Sequence, residues 1–192
     1  MGTMIADHSV YPYALALVAV AVAVAFDMLS HRIPNKLTVP VALLGLVLQA
    51  WFGGLAGLAD GFLGLLAAFF AFLPFYLTRW IAAGDVKLLM AVGACLGWRL
   101  GVLAGLATLL VGALFALLFL LMKGDLLSYL RRYGVMAKCL LLTGRFAYIP
   151  PEPGETASVR FPYALAIALG TVAAIYGPAY WPFMRIPILS GG

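Results

Sequence analysis

From Val86 to Met122 the chain is almost wholly apolar, and its only charged residues are Lys87 and Arg99. As one straight helix that run would be about 55 Å long at 1.5 Å per residue. The hydrocarbon core of a bilayer is about 30 Å thick, so the run has to break. Gly97-Trp98-Arg99-Leu100-Gly101 is the natural place, with Trp98 suited to an interface. A short fourth helix, Val86 to Leu96, and a full fifth, Leu100 to Met122, are the result. The fourth is short enough to leave a re-entrant segment open as an alternative. Composition agrees with a membrane protein. Of 192 residues 65% are hydrophobic and 10% charged, whereas a soluble domain carries roughly 25% charged residues. The expected class is an all-α integral membrane protein, a single polytopic domain over 1–192.

The remaining spans follow from apolar runs and their breaks. A first helix is expected from about Tyr11 to Ser30, with Pro12 tolerated in its opening turn. No Lys or Arg precedes Arg32, so the basic region of a secretory signal is missing and the segment reads as a retained span. Pro34 disfavours helix at Ile33, which predicts a turn. The second helix covers roughly Leu37 to Phe52 and breaks at Phe52-Gly53-Gly54. The third covers Leu58 to Trp80, with a kink expected at Pro74. Residues 123–160 form the one long polar connection. Within it Leu126 to Leu142 mixes Arg131, Arg132 and Lys138 with leucines and tyrosines, the pattern of a helix lying on a lipid surface. Ile149 to Gly154 reads as a rigid, proline-rich turn, and the last span runs from about Phe161 to Tyr180.

These spans can be tested by charge. With the amino terminus outside and about six transmembrane helices alternating, every basic residue except Arg99 and Arg185 falls on the inner side, as the positive-inside rule requires. If the fourth helix did not cross, the basic residues between Lys123 and Arg160 would lie outside. The net charge of +5 is therefore read as setting orientation rather than as binding nucleic acid. Cys95 and Cys139 form no Cys-x-x-Cys pair, so neither a metal module nor a disulfide framework is implied. The sequence sets no oligomeric state.

Six crossings put Asp27 and Asp85 at the same membrane face. An ionisable group at membrane depth is costly and is by default a functional candidate. Two carboxylates held close cannot both ionise freely. One then takes a proton from water while the other donates to a carbonyl oxygen or leaving group, the chemistry of peptide hydrolysis. Helix dipoles favour negative charge on Asp85, at the start of its helix, over Asp27, at the end of its own. The plain alternative is that each acid caps a helix or pairs with a nearby cation. Asp60 and Asp125 are assigned to loop ends, His31 to the interface, and Asp7, Glu152 and Glu155 to polar segments.

The residues around the two acids resemble a known family. Asp27 followed by Arg32-Ile33-Pro34-Asn35, and Gly84-Asp85-Val86-Lys87-Leu88, are similar to the two aspartate motifs of the type IV prepilin peptidases, membrane aspartic peptidases of the GxGD type. Ala82 stands where that family's first glycine usually does. Arg160-Phe161-Pro162-Tyr163-Ala164 is similar to its closing motif at the last helix. The resemblance implies Asp27 and Asp85 as catalytic residues and no cofactor. Gly84, Lys87, Pro34 and Asn35 are read as supporting or substrate-binding residues: Lys87 either tunes the ionisation of nearby Asp85 or is a snorkelling interfacial lysine, and Pro34 and Asn35 shape the turn beside Asp27. It implies prepilin or pseudopilin substrates, cut at the cytoplasmic face of the bacterial inner membrane. The amino-terminal insertion and cysteine pairs of the bifunctional members, associated with methylation, have no counterpart here. The chain accordingly looks like the short form found with tight-adherence (Flp-type) pili. The competing expectation is a proton-coupled transporter or channel component using Asp27 and Asp85 as a relay, which predicts acids distributed through the membrane depth.

Overall fold

The computed structural model describes residues 10–30, 32–78, 81–123, 126–144 and 163–180. All regular structure among them is helical. The helices are α1 (Val10–Ser30), α2 (Asn35–Leu77), α3 (Ala83–Lys123), α4 (Leu126–Thr143) and α5 (Tyr163–Tyr180). Three stretches are long and apolar enough to cross a membrane: Val10–Ser30, Asn35–Leu77 and Ala83–Phe119. Tyr163–Gly177 is a shorter apolar helix. The chain divides into two compact units, 1–111 with 162–192, and 112–161. The first holds the site. In the second, the end of α3 leads to α4, which covers the stretch read from sequence as amphipathic.

The long helices α2 and α3 each contain one non-helical residue. Gly54 has φ 60° and ψ −146°, and Gly97 has φ 78° and ψ 176°. Both lie in a region of backbone space essentially restricted to glycine; Gly97 falls where the length argument required a break, and Gly54 in the break expected at Phe52-Gly53-Gly54. At each one the chain doubles back. A methyl group added at Gly61 would lie 3.3 Å from Leu46 Cδ2, although fifteen residues of straight helix span about 22 Å. One added at Gly101 would lie 3.1 Å from the Gly93 Cα, against about 12 Å along a straight helix. Helical geometry resumes at once after each glycine, because irregular backbone costs several kcal/mol per unsatisfied group where water is absent. The expected gap at 53–57 therefore shrinks to a single residue. Through Pro74, where a kink was expected, the dihedrals stay helical. α2 ends three residues short of Trp80 because Thr78 takes up its free carbonyls, its Oγ1 donating to Pro74 O at 2.9 Å and Phe75 O at 3.1 Å.

The segment from Val86 to Leu96 is the centre of the first unit. Leu88, Ala91, Ala94 and Cys95 are fully buried, and Leu89 and Val92 nearly so, which accounts for a sequence apolar on every face. Small residues let its neighbours approach closely, as membrane helices require. A methyl at Gly45 would meet Cys95 Sγ, and Gly64 and Gly93 face each other backbone to backbone. The end near Gly97 is finished by polar side chains. Gln49 Nε2 donates to Cys95 O at 2.7 Å, and Asp60 Oδ1 accepts from Trp98 N at 3.5 Å. Asp60 thus caps the returning half of α3 from within α2, not from a loop. Buried Thr108 and Thr171 bond back to Ala104 O and Ile167 O, each at 2.7 Å, so their hydroxyls need no outside partner. Trp51 and Leu110, 81% and 73% exposed, face outward as lipid-contacting residues do.

Candidate active site

The site forms at the end of the first unit opposite the two glycine turns. The buried positions of α1 are Ala16, Ala19, Val20, Ala23 and Asp27, a helical stripe that carries Asp27 onto the inward face. α1 then ends, with Ser30 Oγ donating to Phe26 O at 2.8 Å and to Arg32 O at 3.3 Å. Pro34 is the N-cap of α2 in an extended conformation, φ −72° and ψ 139°. Its carbonyl accepts Leu37 N at 3.0 Å and Thr38 N at 3.4 Å. The predicted turn is present, and it aims Asn35 from the first residue of α2.

On the facing side α3 begins at Ala83, earlier than the expected Val86, because Asp85 is part of its first turn rather than ahead of it. Asp85 Oδ2 accepts Ala82 N at 3.3 Å, and Ala82 O accepts Asp85 N at 3.1 Å. This is one arm of a capping box, an acid in the third position reaching back to the residue before the helix. Ala82 supplies only backbone there, so a small residue other than glycine serves. The two motif segments dock on each other at two points. A methyl at Gly84 would lie 3.2 Å from Ile33 Cβ. Lys87 Nζ donates to Asn35 Oδ1 at 3.0 Å on the exposed side. The amine of Lys87 therefore ties the two segments together and is directed to Asn35, not to Asp85.

Asp27 and Asp85, 8% and 7% exposed, are close enough to interact electrostatically. The third wall is the start of α5. Ala164 N, one of the amides a helix start leaves without an internal partner, donates to Asp27 Oδ2 at 3.2 Å. Tyr163, half-buried against the core, is within electrostatic reach of Asp85. Each carboxylate thus has one oxygen on an amide at a helix start, and no described residue donates to either Oδ1. The dipole argument from sequence counted only the helix on which each acid sits; with α5 facing Asp27, it no longer separates the two. Capping is real for both acids, yet capping alone does not explain why two buried carboxylates share one place.

Among the described residues no three His, Cys, Asp or Glu side chains converge on one point. Tyr163 and Ala164 received no role from sequence. The available signal was Pro162, which precedes a helix start and so marks free backbone amides. His31, Asp7, Asp125, Glu152, Glu155 and the turn at 149–154 lie outside the described residues, as do Arg160, Phe161 and Pro162.

A family model described as the Type IV leader peptidase family matches residues 14–117, which include Asp27, Pro34, Asn35, Gly84, Asp85 and Lys87. A prepilin leader peptidase/N-methyltransferase of Bacillus subtilis is 29% identical over 164 residues, 82% of this chain and 52% of the relative. Proteins of the same description from Aeromonas salmonicida and Escherichia coli are 35% identical over 104 residues and 36% over 80 residues. The matches cover 50% and 38% of this chain, and 35% of each relative. The chain therefore spans between about a third and just over half of the length of these curated relatives. No solved structure matches it.

Proposed function

Because the chain belongs to the type IV leader peptidase family, we propose that it is a membrane aspartic endopeptidase that removes the leader peptide from prepilins or pseudopilins, with Asp27 and Asp85 as its catalytic pair. The observation that carries this reading is the convergence of two buried, interacting carboxylates from separate motifs, each with one oxygen anchored by a backbone amide. Such a pair titrates as a unit and can share one proton. The ionised acid takes a proton from water, and the resulting hydroxide equivalent adds to the scissile carbonyl. The protonated acid donates to the carbonyl oxygen, and proton return to the amine releases the two peptides. Gly84 and Pro34 set the distance between the motif segments, and the Lys87–Asn35 bond locks it.

The substrates we assign are Flp-type prepilins, cut at the cytoplasmic face of the bacterial inner membrane. If each half of α2 and α3 crosses the bilayer, with α1 and α5, six crossings place the acids on the same side as nearly all basic residues. Residues 123–160 then lie on that side, with α4 resting on the lipid surface through its amphipathic face. The relay alternative needs acids spaced along the membrane depth; Asp27 and Asp85 instead sit together at one end, and Asp60 is occupied as a cap. We propose that the chain does not methylate the new pilin amino terminus.

Co-expression with an Flp-type prepilin, in a host lacking other leader peptidases, tests the reading. Leader loss that disappears in Asp27→Asn and Asp85→Asn, with both proteins inserted and abundant, is expected. Substantial cleavage by either variant would overturn it. Mass spectrometry of the processed pilin should show an unmethylated amino terminus. Cys139 should react with a membrane-impermeant thiol reagent only once the cytoplasmic face is opened.

A further inference from the structure

We propose that the cavity at the glycine-turn end of the first unit, far from the two paired acids, binds a primary ammonium group, free or on the headgroup of a membrane lipid. The cavity holds about 200 Å³ and is walled by both long helices and the start of α1. Gly53 and Leu96, each the last residue before a glycine break, lie on its wall. Both stand at the carboxyl end of a helical stretch, where carbonyls lack internal partners and the helix dipole is negative. Gln49 and Asp60 add an amide and a carboxylate. Gln49 Nε2 donates to Cys95 O at 2.7 Å. A carbonyl only accepts, so the nitrogen end must face Cys95, and Oε1 is left to accept from elsewhere. Asp60 Oδ1 accepts Trp98 N at 3.5 Å, and among the described residues nothing donates to Oδ2.

These polar groups all accept. Tyr13 also lines the cavity, and a phenol oxygen accepts as well as donates. Capping Trp98 does not call for a charge, since Asn or Ser serves an amide equally. A half-buried carboxylate set against two negative helix ends is costly until a cation joins it. Arg99 is not that cation: its guanidinium lies 6.0 Å from the centroid of the Trp98 ring, and it does not line the cavity. A divalent metal takes six or more oxygens, usually with several carboxylates, and among the described residues no three His, Cys, Asp or Glu gather. A primary ammonium brings one point charge and three donors, which matches one carboxylate, one amide oxygen and the free carbonyls. The rest of the wall suits the carbon chain that carries it. Pro12 has no N–H to offer, and the Phe52 ring is held by stacking on Tyr11, centroids 5.6 Å apart.

Thermal unfolding of the purified full chain tests this, with no cleavage assay and so independently of the peptidase reading. In detergent, ethanolamine at neutral pH is compared with sodium chloride at the same concentration. In lipid nanodiscs, phosphatidylethanolamine is compared with phosphatidylcholine, which has the same phosphate but a quaternary ammonium with no hydrogen to donate. The wild-type midpoint should rise by at least about 3 °C in the primary-ammonium arm of one or both comparisons. Asp60→Asn keeps an acceptor for Trp98 and should unfold within about 4 °C of wild type in sodium chloride, yet lose the rise. A rise in detergent shows that a free amine suffices, and a rise confined to nanodiscs assigns the lipid headgroup. No rise in either comparison would overturn the proposal, and so would a rise that Asp60→Asn retains.

Discussion

Gly84→Ala separates stability from activity. The added methyl would stand 3.2 Å from Ile33 Cβ, 3.5 Å from Ile33 O and 3.6 Å from Ile33 N. Favourable carbon–carbon separations begin at about 3.5 Å, so the first contact is about 0.3 Å too short and the other two are tolerable. Ile33 is only partly buried and precedes the Pro34 cap, so the turn can retreat by that amount. Two stability terms then oppose each other. Overpacking costs about 1 kcal/mol at its mild end, while replacing glycine by alanine in a helix returns roughly 0.5–1 kcal/mol. Net stability should change by less than about 1 kcal/mol. Activity has no such compensation. The retreat moves the Asn35 end of the turn, and through it the Lys87 link, relative to Asp85. A misplacement of about 1 Å can cost about a hundredfold in rate, so a few tenths of an ångström should cost between about threefold and tenfold.

Thermal unfolding in detergent and initial cleavage rates on the same preparation give the two numbers. Gly84→Val, with two further methyl groups in the same gap, should lose both rate and stability. Full activity in Gly84→Ala with an unchanged thermal midpoint would show that the spacing between the motif segments does not control the chemistry. A rate loss matched by a fall of several degrees would show that it acts only through folding.

Other perturbations give distinct expectations. The Asp27→Asn/Asp85→Asn double variant should be no worse than either single one, because residues acting as a unit are non-additive; a further loss in the double variant would contradict a shared role. Asp60→Asn keeps an acceptor for the Trp98 amide, so it should cleave normally and lose less than about 1 kcal/mol, as read by thermal unfolding. Gly97→Ala faces both a positive φ and the Asp60 carboxylate, whereas Gly54→Ala faces a positive φ with open space around it. Both should destabilise by about 1–3 kcal/mol from the backbone alone, with Gly97→Ala clearly the worse in thermal unfolding. Lys87→Met and Asn35→Ala remove opposite ends of one hydrogen bond, so their effects on cleavage should overlap in the double variant rather than add.

The two glycine turns were legible in the sequence, the one at Gly97 because a length limit acts on it directly and the one at Gly54 because a Gly-Gly pair interrupts the apolar run. An apolar run too long for the bilayer must break, and glycine is the residue that can break it. The grouping of Asp27 with Asp85 was legible for a related reason, since it needs only the parity of crossings between them. The details at helix ends were not. Asp60 was read as a loop residue because nothing local shows that Gly97 would return to within reach of it. Lys87 was weighed as a modifier of Asp85 on nearness in sequence, yet a helix turns residues two apart away from each other, and its amine went to Asn35. The bond from Ala164 to Asp27 crosses most of the chain, and a backbone donor leaves no mark in residue identity.

Every group assigned to the chemistry lies at a helix terminus: Asp27 in the last turn of α1, Asn35 at the start of α2, Asp85 in the first turn of α3, and Ala164 at the start of α5. For a peptidase in a bilayer there is a physical reason for that placement. A peptide bond inside a helix is hydrogen-bonded and shielded, so a leader junction has to be extended before water can reach its carbonyl. An extended strand in hydrocarbon would strand its polar groups at several kcal/mol each. Under the proposed reading, helix starts are where the chain has backbone amides to offer in return, and helix ends near the interface are where water is at hand. The mid-helix faces, filled with Ala, Gly and Leu, offer neither. The apolar, glycine-packed centre then has a separate task, which is to fix the relative heights of four helix termini closely enough that two carboxylates from different helices meet.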